Sequence, residues 1–143
     1  MDNGRVVQAI GTVVDVEFPE RRLPSIGTAL ELTCDGRRVV LEVQQHIGEN
    51  RARAVALAPT EGLSRGTVVK DLDEPLSVPV GRKTLGRLFD VLGEPLDGLG
   101  DLSADVPRWP IRRDPPPLHE QETVPQVLET GIKVIDLVCP FTK

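Results

Sequence analysis

The sequence predicts a mainly β protein: a small six-stranded barrel in residues 1–74, then a stretch of different architecture in residues 75–143. Three observations carry this reading. The first part contains about six short runs in which apolar and polar residues alternate, the period of a strand with one buried face. Turn signals, Asp35-Gly36 and Gly48-Glu49-Asn50, separate several of the runs. Proline, found three times in residues 1–74 and ten times in residues 75–143, marks a change of architecture near Glu74-Pro75. Six strands in so few residues fit a small closed barrel. A six-stranded sandwich is the alternative, and alternation does not choose between the two.

Arg5–Ile10 is read as the first strand. Thr12–Phe18 follows, with Val14, Val16 and Phe18 on one face and Asp15 and Glu17 on the other. Ala29–Thr33 and the Val39, Leu41, Val43 run flank Asp35-Gly36. Asp-Gly between alternating runs is a strong hairpin signal, because both central residues of a type I′ turn need positive φ. Ala52, Ala54, Ala56 and Ala58 put small side chains on one face, as a tightly curved barrel requires. A loop at residues 60–66 leads to the last strand, Thr67–Lys70. In the second part Leu85, Leu88, Phe89 and Leu92 form one helical stripe, predicting a helix over Thr84–Leu92 that Gly93 ends. Thr123 is a candidate N-cap for a short helix through Glu129. Ile132–Val138 is apolar, and its period fits either a strand or a short helix. Arg112–Pro117 must be extended, because proline locks φ and cannot donate.

Composition narrows the function. The 143 residues carry 17 basic and 22 acidic side chains, a net charge of −5, and 3 % aromatics. An acidic chain poor in aromatics argues against nucleic acid or an anionic membrane as the main partner. No apolar run reaches the roughly 20 residues of a membrane span, and the polar start is not a signal peptide. Two cysteines 105 positions apart make no disulfide framework and point to a reducing compartment.

Residues that could carry chemistry are few. A phosphate-binding loop, G-x-x-x-x-G-K-[ST], fails at Lys83-Thr84, where Arg82 and Ser77 replace the two glycines. His46 and His119 lie 73 residues apart, and neither Cys34 nor Cys139 has a partner at metal spacing, so no metal ligand is assigned. Cys34 is expected in the turn beside Asp35, and Cys139 as a small buried group. Asp71, Asp73 and Glu74, or Glu120 and Glu122, are candidate carboxylate pairs but read more simply as solvated loop acids. Trp109, between prolines, reads as a packing anchor. On chemistry alone no residue is assigned as catalytic, cofactor-binding or metal-binding.

The phrases themselves say more. Gly11–Pro19, Leu41–Gly48, Thr60–Gly66, Val78–Gly81, Thr84–Asp97 and Leu128–Leu137 follow one another in an order and spacing that closely resembles the N-terminal part of the beta subunits of rotary F-type ATP synthases. The resemblance covers nearly all of the chain. The sister alpha subunits share the Thr130-Gly131-Ile132-Lys133 phrase, whereas Gln45-His46-Ile47-Gly48 and the ending Leu137–Lys143 look like beta. Arg112–Pro117 and Val138–Phe141 depart from the usual pattern and suggest a divergent bacterial or organellar branch.

The resemblance implies a six-stranded N-terminal barrel followed by the incomplete leading segment of an α/β (RecA-like) nucleotide-binding domain. In the family the phosphate loop begins a few residues beyond the position of Lys143, so no catalytic residue transfers to this chain. The intact subunit would bind Mg-ATP or Mg-ADP and make ATP from ADP and phosphate, driven by transmembrane ion flow; the coupling ion is chosen by a rotor outside this chain. Its partners would be alpha subunits, alternating with beta in a hexameric ring, and the central rotor shaft. Its place would be peripheral, on the cytoplasmic face of the bacterial inner membrane. The 143 residues alone are expected to be soluble and inactive. A free-standing small-barrel adaptor is the alternative, and a phosphate loop or a stop codon after Lys143 discriminates the two.

Overall fold

The computed structural model describes residues 3–19, 22–120, 124 and 126–142. Six strands, β1 (Asn3–Ile10), β2 (Val13–Glu17), β3 (Thr28–Cys34), β4 (Arg37–Gly48), β5 (Arg51–Ala56) and β6 (Val68–Pro75), close into a barrel in the order β1-β2-β5-β4-β3-β6, every neighbouring pair antiparallel. Closure rules out the sandwich and leaves no edge strand exposed.

The hairpin expected at Asp35-Gly36 is present. Ala29 pairs with Glu42 and Cys34 with Arg37, and the two turn residues have φ of 49° and 75°. The turn between β4 and β5 works in the same way, with Glu49 at 50° and Asn50 at 58°. β4 is long enough to pair with β3 through its first half and with β5 through its second. Register shifts at Val43/Gln45 and His46/Gly48 in β4, and at Val6/Gln8 in β1, add the local bend that closure needs.

The core is the barrel interior. Val6, Val14, Val16, Leu30, Leu32, Val39, Leu41, Val43 and Val69 are buried, opposite the alanine stripe Ala52, Ala54 and Ala56. Bulky residues on β3 and β4 fill the space that the alanines of β5 leave, so the lumen is packed with side chains. Gly4 is also buried: a Cβ there would stand 2.7 Å from Val16 Cγ1 and 2.8 Å from Phe18 Cε1.

After β6 the chain stays within the same compact unit, residues 1–112. Two short strands, β7 (Ser77–Pro79) and β8 (Arg108–Pro110), pair antiparallel, Val78 opposite Trp109. The helix expected over Thr84–Leu92 is absent. A single 3-10 turn spans Arg82–Thr84, and an isolated bridge joins Phe89 to Pro95. Gly86, at φ 74°, breaks the helical path in its middle. Asp90 Oδ1 accepts the amides of Leu92 and Glu94, and Asp97 accepts those of Leu88 and Leu99, so local side-chain acceptors replace helical ones. The apolar stripe that suggested the helix is split, with Leu85 76 % and Leu88 60 % exposed and Phe89 and Leu92 half-buried.

Residues 113–143 form a second compact unit. It holds a two-stranded ladder of β9 (Val127–Leu128) and β10 (Phe141–Thr142) and one helix, α1 (Lys133–Val138). The short helix expected through Glu129 is overturned: Val127–Leu128 is extended, and its proposed cap, Thr123, lies outside the described residues. A helix of seven residues is marginal, and a cross-strand partner outcompetes it. Asp136 closes the turn before α1 by accepting from the Thr130 amide and hydroxyl and from the Gly131 amide.

Candidate functional site

The barrel presents two outer walls of different character. Over β3 and β4, Ala29, Val40 and Glu42 face outward yet are buried. A cleft of about 120 Å³ there is shared by Ala29, Arg38 and Val40 with Leu76, Ser77, Leu92 and Arg108, so the chain after β6 lies against this wall. Arg108 ties that chain together by donating from Nη2 to the carbonyls of Ser77 and Leu92, both at 2.8 Å.

The wall over β1, β2 and β5 is built differently. Register places Arg5, Glu17 and Arg51 in one row across three strands, Asp15 beside Arg53 in the next, and Ile10, Val13 and Val55 in a third. Arg53 grips Asp15 with two hydrogen bonds, 2.8 and 2.9 Å, and this grip holds the Asp15 carboxyl below its ordinary range. Arg51 lies 3.8 Å from Glu17 and 3.6 Å from Glu49. Ile10 and Val13 remain exposed at the hairpin end, 66 % and 36 %. This face therefore interleaves opposite charges across three strands and carries an apolar rim at its hairpin end.

The residues singled out for chemistry are scattered. His46 Nε2 donates to the Pro24 carbonyl at 2.8 Å and ties the loop before β3 to β4. His119 is exposed beside Glu120, at 3.6 Å. Cys34 is not in the turn: it ends β3, 4 % exposed, with its Sγ 3.4 Å from the Glu61 carbonyl. Cys139, expected to be buried, is exposed. Lys83 is engaged by Asp105 at 2.6 Å and Ser103 at 2.9 Å, while the Thr84 hydroxyl donates to the Gly81 carbonyl. Lys83 and the Ser103 hydroxyl hold the Asp105 carboxyl at about 2. Asp71, Asp73 and Glu74 lie in strand β6 rather than in a loop, and Asp71 accepts the Asp73 amide. Glu122 lies outside the described residues, and Trp109 is half exposed on β8. Lys133 stands exposed at the start of α1. Among the described residues no group of three or more His, Cys, Asp or Glu is placed to hold a metal ion.

The structure also brings together pairs that sequence reading missed. Asp15 and Arg53 are 38 residues apart, Glu42 and Arg112 are 70, and no local spacing announces either. Arg87 and Asp97 are the exception. Ten residues apart around a turn, they form a two-pronged pair with both side chains about 15 % exposed, and Asp97 is held far below the usual carboxylate range.

One comparison with known proteins bears on this site. Residues 6–73, from the first core valine of β1 to the end region of β6, match the family model for the beta-barrel domain of the ATP synthase alpha/beta family. The matched residues are those that form the closed barrel, so over this segment the chain is similar to that family's beta-barrel domain.

Proposed function

We propose that the chain is the N-terminal assembly module of a catalytic beta subunit of a rotary F-type ATP synthase. The observation that carries the reading is the closed barrel over residues that match the family's barrel domain. The choice of beta over alpha rests on Gln45-His46-Ile47-Gly48 and on the phrase ending in Phe141-Thr142-Lys143. In this reading the charged wall over β1, β2 and β5 contributes to the contact with neighbouring alpha-subunit barrels in a ring around the rotor shaft. Mg-ATP and Mg-ADP are handled by the intact subunit, at the cytoplasmic face of a bacterial inner membrane, and the 143 residues alone do no phosphoryl chemistry. Phosphoryl transfer needs a glycine-rich loop with its lysine and a bound Mg²⁺. None of the four lysines here, Lys70, Lys83, Lys133 and Lys143, sits in a Gly-Lys-Ser/Thr context.

The coding frame downstream of Lys143 tests the proposal. A G-x-x-x-x-G-K-[ST] sequence within a few codons supports it, and a stop codon there favours a free-standing barrel adaptor.

A further inference from the structure

Glu42 is an unusual residue for the outside of a barrel. Its carboxylate sits on the outer wall of β4 and its side chain is only 10 % exposed. Burying a carboxylate is costly unless its oxygens are engaged, and here both are. Arg112 Nε donates to Oε1 at 2.9 Å, Arg112 Nη2 reaches Oε2 at 3.4 Å, and Gln44 Nε2 donates to Oε2 at 2.6 Å. The Arg112 stem passes Gly27, whose Cβ, if present, would stand 3.9 Å from Arg112 Cδ. Arg112 is the last residue of the first compact unit.

We propose that Glu42 and Arg112 form a latch that clamps the end of the 76–112 strap to the barrel wall, so that the strap opens from its C-terminal side only when the latch does. Beside the latch, Arg108 donates to the Ser77 and Leu92 carbonyls, bonds that stay within the strap. β7 and β8 pair over three residues each, and Pro79 and Pro110 within that pairing donate nothing. The flanking backbone bonds are Ile111 N to Leu76 O and Val80 N to Pro107 O, both 2.9 Å. Any displacement of the chain beyond Arg112 therefore meets the latch before it meets the β7–β8 ladder. Arginine suits this position because its planar fork reaches both carboxylate oxygens at once, which a lysine cannot do.

Amide hydrogen exchange on the full chain tests the latch. Arg112→Ala should speed exchange at the Ile111 and Val80 amides by about tenfold or more, while the β2 and β5 amides keep their protection. Arg112→Lys should give an intermediate rate, and the reversed pair Glu42→Arg with Arg112→Glu should return exchange toward the wild-type value. Unchanged exchange at Ile111 and Val80 in Arg112→Ala would overturn the proposal, because the strap would then be held without the latch. Equal acceleration in strap and barrel would also overturn it, by making Arg112 an ordinary contributor to global stability. So would a folded reversed pair whose strap exchanges as fast as that of Arg112→Ala.

Discussion

Replacing Gly4 by alanine adds one methyl group at a crowded point of the barrel interior. The new Cβ would lie 2.7 Å from Val16 Cγ1, 2.8 Å from Phe18 Cε1 and 3.0 Å from Phe18 Cζ. Carbon atoms in good contact sit roughly 3.5–4.0 Å apart, so something must move by close to an ångström. Val16 is fully buried and Phe18 is 3 % exposed, and Val16 faces Ala52 across the ladder. The β-branched valine is stiff at χ1 and cannot swing away cheaply. Overpacking of this kind costs about 1–3 kcal/mol. Alanine also restricts the unfolded chain, which offsets about 0.4–1 kcal/mol. The expected net loss is about 1–2 kcal/mol, or a fall in Tm of roughly 5–10 °C for a unit of this size. Urea titration followed by far-ultraviolet circular dichroism measures it, since the one tryptophan, Trp109, lies outside the barrel strands. In a Phe18→Leu background the same change should cost less, because the nearest ring atoms are gone. A neutral or stabilising Gly4→Ala would refute the packing argument.

Two further outcomes are expected. Asp105 is held at about 2 by Lys83 and Ser103, below the value of about 3.9 in an unfolded chain. Its contribution is therefore complete above that value and is lost as pH falls through about 2. Carbon-detected NMR titration should place its midpoint near 2, and Lys83→Ala should raise the midpoint toward the unfolded value; no rise would mean the Lys83 contact is not made in solution. Calorimetric titration of Mg·ATP into the 143-residue chain should show no saturable heat, because a single lysine such as Lys133 without a nest of backbone amides is only a point charge. Saturable binding abolished by Lys133→Ala would contradict this.

The barrel was legible in the sequence because its signals are local. Alternation over Val14, Val16 and Phe18, the Asp35-Gly36 turn and the alanines at 52, 54 and 56 each report on a few neighbouring residues, and each was found where expected. Closure was not legible from alternation, since a strand's period is the same in a sandwich and a barrel. The stripe Leu85, Leu88, Phe89 and Leu92 misled because period alone does not weigh Gly86 or the competing acceptors Asp90 and Asp97. Cys34 was misplaced by one element, because its inward position follows from continuing the β3 alternation through Leu30 and Leu32. The charged pairs of the outer walls join residues 38 and 70 positions apart, and only the folded ladder brings them together.

The most direct test of an assembly role is association with an alpha-subunit barrel. Sedimentation velocity and light scattering should show the chain alone as a monomer or a weak self-associate, since in the proposed reading the wall that carries the exposed Ile10 and Val13 meets a different subunit. Mixed with the N-terminal barrel of an alpha subunit, it should form a hetero-complex at concentrations where neither component self-associates. Absence of any hetero-complex at high micromolar concentration would contradict the account.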